Sequence, residues 1–139
     1  MDQVTVHAET EINPTETEEK VKTAVCNILG SNLSIGVTPE GKGSVLTTES
    51  SGKDSLVKFR NLLRTDRIRD AARKALFHSI RVNSISFCLN KQVAFAGHIS
   101  FSEETAESPL GPIRVTITCE NPRQLVEWLA EKTALGKDK

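Results

Sequence analysis

The chain has 139 residues, 18 lysines and arginines against 18 aspartates and glutamates, and no apolar run near the roughly 20 residues that span a bilayer. That length suits one domain with its own core. Its three cysteines, Cys26, Cys88 and Cys119, form no CxxC and no His–Cys cluster, which argues against a zinc site and a disulfide framework. No apolar stretch follows a basic N-terminus as in a secretory signal, so a soluble, cytoplasmic protein with reduced, buried thiols is expected.

Val4, Val6, Ala8 and Ile12 fall on one side of an extended segment, which reads as a strand. Asn13-Pro14-Thr15-Glu16 then predicts a helix over residues 14–29, with Asn13 as cap, Pro14 in the first turn and Gly30 as stop. Val21, Ala24, Val25, Ile28 and Leu29 supply its apolar face. Residues 33–38 and 44–48 read as a hairpin turned by Pro39-Glu40-Gly41-Lys42-Gly43. Ser50, Ser51 and Gly52 read as a loop, with Asp54 as the cap of the next helix.

The segment from Lys58 to Arg81 holds most of the clustered basic charge: Lys58, Arg60, Arg64, Arg67, Arg69, Arg73, Lys74 and Arg81, against Asp66 and Asp70. Leu56, Phe59, Leu62 and Leu63 form one apolar stripe and Ile68, Ala72, Ala75 and Leu76 another. On one straight helix these stripes would point in nearly opposite directions, so a break near Thr65-Asp66 is required. Helices over 54–64 and 66–80 are predicted, with Thr65 and Asp66 as capping residues. Asp70 and Lys74 have the spacing of a helical ion pair.

Ile85, Phe87 and Leu89 alternate with small or polar residues, and Val93, Phe95, Gly97, Ile99 and Phe101 continue that parity. This predicts a second hairpin, turned at Asn90-Lys91-Gln92, whose aromatic face lies under the helices. Residues 105–111 read as an acidic loop, with Glu103, Glu104 and Glu107 clustered at its start. Ile113, Val115, Ile117 and Cys119 make a last strand, and Asn121-Pro122 opens a final helix over 122–135. The expected organisation is a single α+β domain over residues 1–136, a largely antiparallel sheet with helices packed on one face, and a charged tail over 137–139.

Four stretches carry a family resemblance: Phe59-Arg60-Asn61-Leu62-Leu63-Arg64 leading into Arg67-Ile68-Arg69-Asp70-Ala71-Ala72-Arg73; Phe87-Cys88-Leu89-Asn90-Lys91-Gln92-Val93-Ala94-Phe95; Glu107-Ser108-Pro109-Leu110-Gly111-Pro112-Ile113; and Leu125-Val126-Glu127-Trp128-Leu129-Ala130. Together they resemble a family of small archaeal proteins of unassigned function, grouped with the ribosomal-protein-L-five-like fold. The resemblance spans nearly the whole chain. It implies that α+β fold and association with RNA, and it supplies no catalytic residues.

Arginine outnumbers lysine in the basic segment, and guanidinium forks bind phosphate bidentately. Arg60, Arg64, Arg67, Arg73 and Lys74 are therefore the expected RNA contacts. The competing structural reading has these arginines consumed by acids of the same chain. There is no tyrosine, and Phe59, Phe77, Phe87, Phe95, Phe101 and Trp128 fall mostly on core parity. A mode directed at the backbone and shape of structured RNA is expected, since single-strand readers need exposed aromatics. His7, His78 and His98 are scattered. His98 could meet Ser84, Ser86, Cys88 and Ser100 on the polar sheet face, although a solvated face or a subunit contact ranks above a reactive site there. No enzyme activity, metal or cofactor is expected. The alternative to RNA binding is a homo-oligomeric scaffold, such as a homodimer, or a protein-interaction domain, built on the small-residue face of Ala94, Ala96, Cys88 and the serines or on an exposed sheet edge.

Overall fold

Alternation between apolar and polar residues does most of the work in the first strand. In a computed structural model, which describes residues 3–31, 33–102 and 111–131, β1 (Thr5–Ile12) buries Val6, Ala8, Thr10 and Ile12 and leaves Thr5, His7, Glu9 and Glu11 on the other face. β1 lies inside a six-stranded sheet of order β2-β3-β1-β6-β4-β5, with β2 (Ser34–Glu40), β3 (Gly43–Ser51), β4 (Ser84–Asn90), β5 (Phe101–Ser102) and β6 (Pro112–Thr118). Every neighbouring pair is antiparallel. The same parity holds across the sheet: Ile113, Val115 and Ile117 of β6 and Ile85, Phe87 and Leu89 of β4 are buried on the side that faces the helices. The fold is the expected α+β arrangement.

The helices are α1 (Glu18–Leu29), α2 (Asp54–Thr65), α3 (Arg69–His78), the short α4 (Lys91–Phe95) and α5 (Pro122–Leu129). One continuous core joins Val21, Val25 and Ile28 of α1, Leu56, Phe59 and Leu63 of α2, Leu76 of α3 and Leu125 and Leu129 of α5 to the sheet. Each of these side chains, fully buried, contributes about 1.5–3 kcal/mol of transfer free energy. No helix among the described residues is long and apolar enough to cross a membrane.

Several local expectations are corrected. Helix α1 begins at Glu18 rather than at residue 14, because Thr17 is the residue whose hydroxyl accepts the Lys20 N–H, at 3.2 Å. Asn13 instead starts a turn, and its backbone N–H donates to Glu16 Oε1 at 2.9 Å. The first hairpin has a two-residue loop, Gly41-Lys42, with Gly41 at φ 59°, so both strands run longer than predicted. Gly43 is required there, since a Cβ would strike the Ile12 carbonyl. Ser50 and Ser51 belong to β3, and Asp54 is already helical, with no side-chain cap at Lys53.

The second hairpin is the largest departure. Residues 91–95 are helical, not extended, because the Asn90 carboxamide caps the turn by accepting the Val93 N–H at 2.9 Å. Asn90 was legible as a turn residue, but a polar cap can open a helix as readily as a hairpin. Among the described residues of this segment, only Phe101 and Ser102 return to the sheet, opposite Leu89 and Cys88. Ala94 therefore becomes a core residue and Phe95 a surface one. Of the cysteines, Cys119 is buried, and that burial pushes its thiol up against a smaller opposing effect of the Asn121 backbone N–H. Cys26 and Cys88 are only half-buried, against expectation. The final helix, predicted over 122–135, ends at Leu129, with Ala130 already out of helical geometry. The acidic residues at 103–107, most of the loop predicted at 105–111, residues 132–135 and the tail at 137–139 lie outside the described residues.

Candidate nucleic-acid interface

The break between α2 and α3 falls where the two apolar stripes demand it, but neither Thr65 nor Asp66 caps it. Helix α2 ends in a Schellman arrangement: the Ile68 N–H donates to Leu63 O and the Arg67 N–H to Arg64 O, both at 3.1 Å. The residue that turns the corner is Arg67, at φ 59°, the sole non-glycine with positive φ among the described residues. Glycine is the usual occupant of that position because a Cβ is disfavoured there. Asp66 turns away from its basic neighbours. Its carboxylate accepts the Ile99 N–H at 3.1 Å and sits 3.0 Å from His98 Nδ1. The carboxylate that the sequence places between Arg64 and Arg67 is thus engaged by the segment after α4.

The five expected contacts divide into two sets. Arg64, Arg67 and Lys74 are exposed, and none has a carboxylate partner among the described residues. The Asp70–Lys74 pair suggested by spacing does not form; Asp70 keeps Oδ1 buried without a hydrogen-bond partner. Arg60 and Arg73 are engaged at the C-terminus of α5. Arg60 Nε donates to Trp128 O at 2.8 Å, and its other nitrogen reaches Glu131 at 3.1 Å. Arg73 forks onto both Glu127 oxygens at 2.8 Å and donates to Ala130 O at 3.0 Å. Their side chains are only 20% and 15% exposed.

This engagement has a physical cause. A helix C-terminus carries unsatisfied carbonyls and a partial negative charge, and α5 has Glu127 in its last turn, Glu131 two residues beyond its end and no basic residue in that turn. Cations from α2 and α3 complete that end. The signal was present in the sequence as two glutamates four residues apart where the helix dipole disfavours them. Arg69 reaches Glu131 only at 4.0 Å. Trp128 lies under Lys53 and Arg60, at 4.7 and 5.1 Å from the ring centre, and Phe77 between Arg73 and Arg123, at 5.0 and 4.9 Å.

His98 does not join Ser84, Ser86, Cys88 and Ser100, because it belongs to the segment after α4 and is held by Asp66. Ser86 lies on the open sheet face, where its hydroxyl is 3.4 Å from that of Thr116. Among the described residues no group of three or more His, Cys, Asp or Glu side chains could hold a metal.

The chain matches a family profile described as RNA binding over residues 5–119. It is 44% identical to a UPF0201 protein of Sulfurisphaera tokodaii over 92% of this chain and 88% of that one. It is likewise 44% identical to a UPF0201 protein of Sulfolobus acidocaldarius, over 94% and 90% respectively. The crystal structure of a UPF0201 protein from Methanococcus jannaschii superposes with a TM-score of 0.80 at 28% identity, covering 91% of this chain and 98% of that one. The fold is thus shared over most of both chains, and the chain belongs to the UPF0201 family of archaeal proteins.

Proposed function

We propose that this protein binds structured RNA through the corner between α2 and α3, with Arg64, Arg67 and Lys74 contacting phosphates. The observation that carries this reading is the division of the basic segment. Arg60 and Arg73 are taken up by α5, while Arg64, Arg67 and Lys74 stay exposed without acidic partners among the described residues. Unpaired cations fixed at one corner keep a local positive field despite zero net charge. The description of the matching family as RNA binding supports the same partner.

Phosphate contacts release counterions, so affinity should fall steeply with salt, by about 0.7–0.9 in log–log slope for each contact. An Arg64→Glu/Arg67→Glu variant should bind all structured RNAs more weakly and alike, because phosphates carry no sequence code. It should also fold normally, since both side chains are exposed. Filter binding of wild type and variant across a salt series tests this. Equal binding by the two proteins would remove the corner as the interface and favour the oligomeric scaffold.

A further inference from the structure

Phe95 is read from the sequence as a core residue, yet it is 45% exposed, because the segment carrying it is a helix. Its position is fixed. The Asn27 carboxamide of α1 donates to Ala94 O at 3.0 Å and to Phe95 O at 3.1 Å. Three residues further on, His98 and Ile99 are tied to Asp66, the residue that precedes Arg67. The ring borders a cleft of about 290 Å³ between α1 and α4, lined by Thr17, Lys20, Ala24, Gln92 and Phe95, with the Lys91–Glu16 pair alongside. That volume is at the low end of the roughly 300–1,000 Å³ typical of ligand sites, room for one ring system and not for a helix. The Lys20 ammonium lies 6.0 Å from the centre of the Phe95 ring and has no carboxylate partner among the described residues.

We infer that the Phe95 cleft is a stacking site for one unpaired nucleobase of the RNA held at the α2–α3 corner. This inference rests on the RNA-binding reading and adds to it a preference for duplexes that end in, or are interrupted by, single-stranded nucleotides. The chemistry matches a nucleobase. The aromatic ring offers a flat face, which stacks any base irrespective of sequence. The Lys20 ammonium opposes the phosphate that accompanies the base. The Asp66 contacts tie the segment that follows α4 to the α2–α3 corner.

The test compares a blunt RNA duplex with the same duplex carrying a short oligoadenylate overhang, bound to wild type, Phe95→Ala and Phe95→Trp. Wild type should bind the overhang RNA more tightly, and Phe95→Ala should lose about tenfold on that RNA, the size of one aromatic stacking contact. Blunt-duplex affinity should be unchanged by Phe95→Ala, and Phe95→Trp should keep the overhang preference. No gain from the overhang in wild type, or equal losses on both RNAs in Phe95→Ala, overturns the stacking site while leaving the corner interface standing. Failure of wild type to bind either RNA overturns both readings. A change in solution mass of Phe95→Ala, measured by light scattering, would assign the ring to a contact between copies and overturn the proposal as well.

Discussion

Lys91 donates its ammonium to Glu16, 2.9 Å from Oε1, and joins the short α4 to the turn that precedes α1. The lysine side chain is 4% exposed and the glutamate 13%. Lys91 also reaches Glu11 O at 2.7 Å, so it closes the end of β1 onto α4. A lysine at a turn position of the sequence has become the most buried cation of an ion pair among the described residues.

Removing one partner of a buried pair leaves the other charged group unneutralised. Lys91→Met should therefore destabilise the protein by about 3 kcal/mol, the lower end of the range for breaking such pairs. Urea unfolding followed by circular dichroism measures it. A change within a few tenths of a kcal/mol would mean that Glu16 finds solvent or another donor.

Burial works against ionisation of Glu16, but the Asn13 backbone N–H, the Lys91 ammonium and the Asn13 side chain outweigh it and hold the carboxyl below its usual value. A carboxyl depressed in the folded state stabilises the fold above its unfolded pKa. That contribution is lost as pH falls through the folded value. Wild type should thus lose stability on acidification below about pH 4.3, the ordinary range of a glutamate. Glu16→Gln should show a shallower loss over that window, measured as the urea midpoint against pH.

Arg73 and Glu127 are joined by two hydrogen bonds of 2.8 Å, and the same guanidinium caps Ala130 O. Arg73→Ala should cost about 2 kcal/mol, the scale of hydrogen bonds to a charged group. Arg73→Lys should recover only part of it, because an ammonium cannot reproduce the fork. A double-mutant cycle with Glu127→Ala should give a coupling of about 1 kcal/mol; zero coupling would return Arg73 to the set available for RNA.

Arg67 holds a left-handed conformation at φ 59° that glycine adopts more readily. Arg67→Gly should raise stability by about 0.5–1 kcal/mol, the strain relieved being partly offset by a freer unfolded chain. The same variant should shed about one phosphate contact's worth of salt dependence in RNA binding. Thermal unfolding and a salt titration on one sample read both effects. Stability that falls instead would show that the Arg67 side chain supports the corner.

Sheet parity, the capping of α5 by Asn121 and the break between α2 and α3 were all determined by the sequence, because each depends on local spacing. Period-two alternation can satisfy only one buried face. Two apolar stripes on opposite sides of a helix cannot share a core. The segment after β4 was not decided locally. Asn90 can turn a hairpin or cap a helix, and the choice went to the helix because Lys91 finds Glu16 and Ala94 finds the core. The fate of each arginine was likewise tertiary. Arg60 and Arg64 are a helical turn apart with the same chemistry, yet one meets the carbonyl end of α5 and the other meets solvent. Ion-pair partners 54 and 71 residues away in the chain leave no periodic trace, so only the packing of α5 against α2 and α3 separates anchoring charges from available ones.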